Sequence, residues 1–566
     1  MPTRNIKGKI ECRKLVEWAL VFLVFVIGFF ICLRFASGPK YWDDLLYINT
    51  AWNMNEIAGI NNRYFTIFLL QIFNLLAKGD PILGSTYYGV FSFMTILLLV
   101  YINSRMISKS NKIIVSLLSV VLLLTYTSFV ADLGVVLADY TVTMMILIGI
   151  LIFLVYKNHQ KNYLLLLFGA ILFLAFKSKE TGVLLGLLIP GFVLDSGMEV
   201  TTVKKIKKVG LILLGVLIGI LIFITLNSLF FHDPFFGFRQ TDVRNYTNMF
   251  KYNVMQGQIP TINYLEYICT TCVFFTSMAS VVLSNPQSIN KTKWLWLLAI
   301  GIIIFFGFSL THGELDTVYP RYLAPAIAVL AILSPQFISE ATVFTSPWKK
   351  INGSITVPFA LLIGTFLTFL AYLVAKVAFH WTFEYLVRET MVPFISCLII
   401  IWVVFQKRNH ESMLIFAVLI GSIAIPIAFH NLYQIGVNYG QEDARFSPFV
   451  PFKDAVNCDA DLIFVSNSLH LENDLFAREV GSSAWMFNLY FGCHKTEANF
   501  EYEIEQSNIP YDLLTNDYDY VFLSGSDMMF LNNQLTVSED IFSKYHVSSN
   551  QNGTSYLLTL EKYNNE

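Results

Sequence analysis

Long apolar segments, separated by short polar connections, follow one another through residues 1–434. A membrane-spanning helix needs about 20 predominantly apolar residues, and roughly thirteen segments approach that length. Their approximate ranges are 15–35, 82–104, 113–131, 134–156, 163–177, 181–195, 209–231, 264–284, 293–311, 318–338, 354–378, 389–406 and 412–432. The pattern predicts a polytopic α-helical membrane protein with about thirteen transmembrane helices, and the shortest segments leave that number open by one or two.

The first apolar segment follows a basic N-terminus, which is an order also found in secretory signal peptides. The apolar run at 15–35 is longer than the core of a signal peptide, which has about 7–15 residues, and no small-residue cleavage site follows it. We therefore interpret it as a retained first span.

Lysine and arginine residues between the predicted spans indicate an orientation. With the N-terminus inside the cell, every predicted inner loop is basic, as the positive-inside rule requires. These residues are Arg105, Lys109 and Lys112; Lys157 and Lys161; Lys204, Lys205, Lys207 and Lys208; Lys291 and Lys293; Lys349 and Lys350; and Lys407 and Arg408. An odd number of spans then places the C-terminal part outside the cell, opposite a cytoplasmic N-terminus.

The last part of the chain, residues 435–566, is more polar and has the alternating apolar positions of strands. Strands are predicted at 461–466, 518–523 and 555–560, with a helical stretch at 471–490. We predict a small, soluble, extracytoplasmic α/β domain. Its cysteines, Cys458 and Cys493, would form a disulfide if that side of the membrane is oxidising.

Composition agrees with this class of protein. The chain is 55% hydrophobic and 14% charged, so the lipid bilayer must be its main solvent. The formal net charge of -2 gives no overall field that would attract nucleic acid, and nucleic acid is not expected as a partner. The positions of the few charges are therefore more informative than their sum.

Several ionisable residues fall on the predicted outer side. The first outer loop, 36–81, carries the adjacent carboxylates Asp43 and Asp44, then Arg63 and an apolar stretch at 64–77 that we predict to be an interfacial helix. The other outer charges are Asp139, Lys177, Lys179, Glu180, His312, Glu314, Asp316 and Arg321. Each such charge costs about 2.5–3.5 kcal/mol if fully inserted in hydrocarbon, so we hypothesise a shared cavity.

Each of these residues also has a simpler interpretation. Adjacent carboxylates in an outer loop are most often a solvated surface. Lysines near helix ends commonly extend their ammonium groups to the lipid headgroups. Arg321 follows Pro320 and could simply anchor the start of a helix.

The order of the outer residues resembles the GT-C class of membrane glycosyltransferases, which includes the protein O-mannosyltransferases and the bacterial lipid A aminoarabinose transferase. The matching segments are Asp43-Asp44, Asp139, Lys177-Ser178-Lys179-Glu180-Thr181 and Arg321-Tyr322-Leu323-Ala324-Pro325. Members of this class often have a Gly-Arg pair after the acidic loop. Here Asn61-Asn62-Arg63 stands at that place, which leaves the assignment of Arg63 open.

The resemblance implies an inverting glycosyltransferase of the outer face. Its donor would be a sugar on polyprenyl phosphate, and its acceptor a hydroxyl of a cell-envelope glycan, lipid or protein. Asp43 or Asp44 would act as the general base. The donor phosphate would be bound by Arg63, Lys179 and Arg321, whose positive charges favour the departing phosphate. Asp139, Glu180, His312 and Glu314 would support these cations or contact the sugar.

The resemblance implies no certain cofactor. A divalent cation stays open because Asp43 and Asp44 are hard oxygen ligands, although two carboxylates alone form a poor cage. The bacterial members that the chain resembles indicate a multi-pass protein of the plasma (inner) membrane.

Other functions stay open from the sequence. A transporter or flippase would have ionisable residues near the middle of the bilayer and helices broken at the same depth. An outer-leaflet polysaccharide polymerase or ligase would usually lack a C-terminal soluble domain. A structural or sensing protein gives no reason for aspartate and lysine residues to gather on one side.

Overall fold

The structure is a computed structural model, and it describes most of the first half of the chain and much of the C-terminal part. The described residues are 18–19, 21–34, 36, 42–52, 63–109, 112–126, 129–130, 133–194, 201–231, 234–235, 286–311, 320–336, 452, 455–460, 462–466, 493, 500–503, 507–549 and 555–560. The predicted spans at 264–284, 354–378, 389–406 and 412–432 lie outside these ranges. The number thirteen therefore stays a prediction.

The first part of the described chain is helical. Its α-helices are α1 (Val21–Arg34), α2 (Trp42–Trp52), α3 (Tyr64–Leu76), α4 (Pro81–Ile107), α5 (Lys112–Leu124), α6 (Ala138–His159), α7 (Asn162–Ser178), α8 (Ile189–Leu194), α9 (Thr202–Phe231), α10 (Pro286–Thr311) and α11 (Ala324–Leu333). Two 3-10 helices, Glu180–Leu188 and Pro320–Leu323, precede α8 and α11.

Four of the described helices are long and apolar enough to cross a membrane, namely α4, α6, the part of α9 at Thr202–Leu229 and the part of α10 at Thr292–Ser309. They coincide with the predicted spans at 82–104, 134–156, 209–231 and 293–311. Shorter apolar helices of 10–17 residues occupy other predicted spans. The protein is a polytopic helical membrane protein.

One predicted boundary is wrong. The sequence predicted a span at 113–131, but α5 ends at Leu124. Thr125 turns its hydroxyl back to donate to the carbonyl of Leu122 at 2.6 Å, which competes with continuation of the helix. Gly134 has a φ of 88°, a conformation that glycine adopts readily, and the long helix α6 begins at Ala138.

Glycine allows a close approach between α7 and α9. A Cβ atom added at Gly169 would lie 2.0 Å from the carbonyl oxygen of Ile212. A Cβ atom at Gly215 would lie 2.1 Å from the carbonyl oxygen of Leu166. Small residues at the contact let membrane helices gain van der Waals contact and backbone proximity. This contact supports α7, the helix that ends just before Lys179.

The C-terminal part contains a five-stranded sheet with the strand order β2-β1-β3-β5-β4. Its elements are β1 (Ile463–Ser466), β2 (Phe500–Glu503), α12 (Ile509–Thr515), β3 (Tyr520–Ser524), α13 (Gly525–Asn532), α14 (Leu535–Lys544), β4 (Tyr545–Ser549) and β5 (Ser555–Leu560). Strand β1 is parallel to β2 and β3, whereas β5 is antiparallel to β3 and β4.

The predicted strands at 461–466, 518–523 and 555–560 are present as β1, β3 and β5. The sequence prediction missed β2 and β4, and its helical stretch at 471–490 lies outside the described residues. Cys458 and Cys493 form a disulfide, with Cα atoms 5.2 Å apart.

The two faces of this sheet are buried in different ways. One face packs against the helices of the C-terminal part itself. Alternate strand residues, such as Phe464, Val521 and Leu558, share a core with those helices. The other face packs against helices α2 and α3. Residues Ile463, Val465, Tyr520, Phe522 and Leu557 share a core with Tyr47, Ile48, Ala51, Ile67 and Leu70 of α2 and α3. The sheet therefore fixes the position of these two helices.

Candidate active site

Asp139 lies in the first turn of α6, where a carboxylate is favoured by the helix dipole. The chain reaches this turn through a loop that passes very close to α4. A Cβ atom added at Gly89 would lie 2.3 Å from the backbone of Gly134, so only glycine fits there. The hydroxyl of Thr143 donates to the carbonyl of Asp139 at 2.6 Å. Asp139 is 4% exposed, so its carboxylate needs polar partners.

Lys179 follows the last residue of α7 and has an extended backbone, with φ -163° and ψ 149°. The turn is tight because a Cβ atom at Gly182 would lie 2.1 Å from the carbonyl oxygen of Ala175. The Gly182 amide donates back to the Lys179 carbonyl at 2.9 Å. This turn places the Lys179 ammonium 2.5 Å from Oδ1 of Asp139, to which it donates a hydrogen bond.

Arg321 reaches the same carboxylate from the 3-10 helix that precedes α11. Its Nε atom is 3.8 Å from Oδ2 of Asp139. The next residue, Tyr322, presents its ring to Lys179, with 3.7 Å between the ammonium nitrogen and the ring centroid. Tyr322 in turn stacks on Phe306, with ring centroids 5.7 Å apart. Asp139 is thus bridged to two buried cations from different parts of the chain.

Arg63 is a further buried cation, at 4% exposure; Lys177 is buried as well, but its ammonium lies over the ring of Phe223. Arg63 precedes α3 and donates a hydrogen bond to the hydroxyl of Tyr47. The charges of Asp139, Arg63 and Arg321 all act on the Lys179 ammonium. We call these four residues, Asp139, Lys179, Arg321 and Arg63, the charged cluster.

Asp43 and Asp44 lie in the first turn of α2, a helix that the sequence prediction missed. Asp44 is fully buried, so the interpretation of this residue as part of a solvated surface is wrong. It shares a helix face with Tyr47, Ile48 and Ala51, because residues three, four and seven positions apart align on a helix. Tyr47 also accepts the hydrogen bond from Arg63, so α2 joins Asp44 to the charged cluster through one helical turn.

The remaining predicted site residues are placed differently. Glu180 begins a 3-10 helix with an exposed side chain, although its neighbour Lys179 is buried. His312 and Glu314 lie outside the described residues, as does Asp316. Their supporting roles stay predictions.

The sequence prediction gave no site role to Tyr47 or Tyr322. Tyr322 follows Arg321 in one of the segments that carry the resemblance. An aromatic residue next to a cation in the sequence is a signal for a cation–π contact, and this signal could have identified Tyr322. Tyr47 is one turn after Asp44, but its role depends on α2 being a helix. A helical interpretation of residues 42–52 could have found it.

The chemistry of this arrangement favours an anion. The charged cluster contains three buried cations, Arg63, Lys179 and Arg321, and one carboxylate, Asp139, so positive charge is in excess within it. Arginine and lysine in a site with little water bind phosphate through charge-assisted hydrogen bonds. Among the residues that the structure describes, no group of three or more His, Cys, Asp and Glu side chains is arranged to hold a metal ion.

Solved structures with the same architecture identify the fold of the chain. The chain has the fold of the GT-C membrane glycosyltransferases. The structures that show this are those of ArnT from Cupriavidus metallidurans, the lipid A aminoarabinose transferase. ArnT bound to undecaprenyl phosphate matches with a TM-score of 0.54 and 13% identity, over 96% of this chain and 98% of that chain.

The apo structure of ArnT matches over the same shares with a TM-score of 0.55 and 13% identity. The archaeal oligosaccharyltransferase AglB from Archaeoglobus fulgidus, in complex with an inhibitory peptide and a dolichol-phosphate, matches more weakly. Its TM-score is 0.46 with 11% identity, over 96% of this chain and 74% of that chain. No protein-family model and no curated protein matches the chain.

Proposed function

We propose that the protein is an inverting glycosyltransferase that moves a sugar from a polyprenyl-phosphate donor to a hydroxyl of a cell-envelope acceptor. The acceptor is a glycan, a lipid or a protein, and the reaction takes place at the outer face of the plasma (inner) membrane. The observation that supports this function best is the charged cluster, in which Asp139 joins Lys179 and Arg321 near Arg63. It lies in a chain with the fold of ArnT, which has been solved with undecaprenyl phosphate bound.

The cations act on the leaving group. As the bond from the anomeric carbon to the phosphate breaks, negative charge develops on the phosphate oxygens. Fixed positive groups beside those oxygens lower the barrier, and they are most effective where water is excluded. Lys179, Arg321 and Arg63 are each less than one tenth exposed, which meets this requirement.

Asp139 acts on the cations rather than on the sugar. A lysine side chain has many rotamers, and Lys179 is held between the Asp139 carboxylate at 2.5 Å and the Tyr322 ring at 3.7 Å. The ammonium therefore contacts a carboxylate and an aromatic ring at once, and these two contacts restrict its position. Preorganised donors cost no reorganisation during the reaction.

The general base is Asp44 or Asp43 in α2. The acceptor hydroxyl must lose its proton as the new bond to the anomeric carbon forms, and a carboxylate within about 2.6–3.2 Å can accept it. The buried position of Asp44, one turn from the partner of Arg63, supports a role next to the donor. A single displacement with one base inverts the anomeric configuration.

The proposed orientation places the C-terminal sheet outside the membrane, over α2, which carries Asp44, and α3, which follows Arg63. The packing of Tyr520, Phe522 and Leu557 against α2 and α3 supports this arrangement. The N-terminus is then cytoplasmic, and the donor reaches the charged cluster with its polyprenyl chain in the bilayer.

Transfer of radiolabelled sugar from polyprenyl phosphate tests the proposed roles. Membranes with matched expression of the wild type, Asp43→Asn, Asp44→Asn and Lys179→Gln are compared over a panel of donors and acceptors. Loss of transfer in Lys179→Gln and in one of the aspartate variants is expected. The control is Lys157→Gln at the other end of α6, where the ammonium lies over the ring of Phe153 and not in the charged cluster.

The proposal would be rejected if wild-type membranes transferred no sugar across the whole panel. It would also be rejected if Lys179→Gln and Lys157→Gln retained equal activity. Net movement of labelled lipid-linked sugar across vesicles, without transfer, would instead indicate a flippase.

A further inference from the structure

Three buried hydroxyl groups link three helices next to the charged cluster. Thr66 of α3 donates to the hydroxyl oxygen of Thr141 in α6 at 3.1 Å. Tyr88 of α4 lies 2.5 Å from the same oxygen. None of these three residues is exposed to solvent. We call Thr66, Thr141 and Tyr88 the hydroxyl network.

The hydroxyl of Thr141 is the centre of this network. Thr141 has one hydroxyl proton, and the carbonyl of Leu137 lies within 3.4 Å to accept it. Its lone pairs can accept from Thr66 and, when Tyr88 is the donor of their contact, from Tyr88 as well. The hydroxyl of Thr141 is thus the common partner of the other two hydroxyl groups.

Two residues of the network closely follow members of the charged cluster along the chain. Thr141 is two residues after Asp139, in the same helix turn. Thr66 is three residues after Arg63, in the first turn of α3. The bond between Thr66 and Thr141 is thus a direct link between the helix that follows Arg63 and the helix that carries Asp139.

An apolar contact would hold these helices together without fixing them in one register. The neighbours of the network include Ile67, Leu70, Val136 and Ala138, which are fully buried or nearly so. Side chains of this kind pack in several related arrangements, whereas a satisfied buried hydrogen-bond network specifies one. The polar groups in this apolar contact therefore specify one relative position of the helices.

We infer that Thr66, Thr141 and Tyr88 are positioning residues that fix Arg63 relative to Asp139 and so set the phosphate-binding geometry. This inference rests on the proposed function, because the ligand is the phosphate of the polyprenyl donor. The proposed role of the network needs no direct contact with the donor or the acceptor. The network acts through Arg63 and through the Asp139 partners, Lys179 and Arg321.

The test uses the full-length protein in lipid nanodiscs with two readouts. The first is the equilibrium binding of undecaprenyl phosphate, which requires no sugar and no acceptor. The second is the rate of transfer at saturating donor. Thermal stability is measured in parallel for every variant.

The decisive pair of variants is Thr141→Val and Thr141→Ser. Valine has the shape of threonine without the hydroxyl, whereas serine keeps the hydroxyl and loses the methyl group. We expect Thr141→Val to weaken undecaprenyl phosphate binding at least fivefold and to slow transfer at least tenfold. Thr141→Ser should stay within twofold of the wild type in both readouts. Thr66→Val combined with Thr141→Val should cost no more than Thr141→Val alone, because both remove the same link.

A buried hydroxyl pair between α5 and the far end of α4 provides the control. Ser119 donates to the hydroxyl of Ser104 at 2.8 Å, and Ser104 is about 24 Å along the helix from Tyr88. Ser119→Ala should lower thermal stability as Thr141→Val does, yet keep binding and transfer within twofold of the wild type.

The inference would be overturned if Thr141→Val and Thr141→Ser bound undecaprenyl phosphate equally well, or if Thr141→Val lost no more binding than Ser119→Ala. A wild type that binds undecaprenyl phosphate but transfers no sugar would contradict the proposed function. The binding affinities of Thr141→Val, Thr141→Ser and Ser119→Ala would then still decide the role of the hydroxyl network. A wild type that does not bind undecaprenyl phosphate contradicts both.

Discussion

Replacement of Asp139 by asparagine should separate phosphate binding from catalysis. The amide keeps the shape of the carboxylate but removes the negative charge shared by Lys179 at 2.5 Å and Arg321 at 3.8 Å. Breaking a buried ion pair on one side costs about 3–5 kcal/mol of stability, because the partner charge is left uncompensated. Lys179 also loses the contact that fixes its ammonium group. Misplacement of one such donor slows a reaction by about 100-fold.

The opposite effect is expected on binding. Without the Asp139 charge, the cluster holds more positive charge, so undecaprenyl phosphate should bind to Asp139→Asn at least as tightly as to the wild type. The assay combines equilibrium binding in nanodiscs with transfer rates at saturating donor and thermal unfolding. A normal or lowered dissociation constant with a transfer rate reduced by about 100-fold is the expected combination.

The chain offers a matched control in an exposed ion pair. Asp517 accepts from Lys544 at 3.1 Å in the C-terminal part, and the Asp517 side chain is 70% exposed. Exposed pairs of this kind contribute about 0–1 kcal/mol, so Asp517→Asn should behave like the wild type. The reasoning would be refuted if Asp139→Asn were as stable and as active as Asp517→Asn, or if it lost phosphate binding in proportion to its loss of transfer.

Three further changes test the supports of the charged cluster. Gly182→Ala should destabilise the turn before the 3-10 helix by about 1–3 kcal/mol and reduce transfer, while Gly186→Ala, where a Cβ atom meets nothing closer than 3.9 Å, should fold and transfer normally in the same assays. Tyr322→Phe keeps the ring beside Lys179 and should retain most transfer activity, whereas Tyr322→Leu should lose about 0.5–2 kcal/mol of cation–π stabilisation and transfer correspondingly more slowly. Reduction of the disulfide in the C-terminal part should lower thermal stability by about 2–4 kcal/mol and slow transfer, because the sheet packs on α2 and α3; unchanged transfer after verified reduction would show that the sheet is not needed to hold these helices.

The sequence was a good guide where the physical signal is local. The long helices α4, α6, α9 and α10 coincide with predicted spans because apolar length alone indicates a membrane helix. Asp139, Lys179 and Arg321 were predicted to share one side of the membrane, and the structure brings their side chains into contact. Charged side chains close to hydrocarbon need polar partners, so charged residues predicted on the same side of the membrane were expected to contact one another.

The sequence was a poor guide where the signal is a contact between distant segments. Helix α2 has 11 residues of mixed polarity, so no periodic pattern of useful length identifies it. The packing of the C-terminal sheet on α2 and α3 joins residues hundreds of positions apart. The hydroxyl network is similar, because threonine and tyrosine residues in apolar segments have no signature until their partners are known.

The most direct test of the proposed function is the fate of the sugar itself. Purified wild-type protein is incubated with polyprenyl-phosphate sugars and a panel of cell-envelope acceptors, and the products are identified by mass spectrometry and NMR. We expect one sugar to leave its polyprenyl phosphate and to appear on an acceptor hydroxyl with the opposite anomeric configuration. Retention of the anomeric configuration would contradict the single displacement. If every donor of the panel were recovered intact, glycosyl transfer itself would be contradicted.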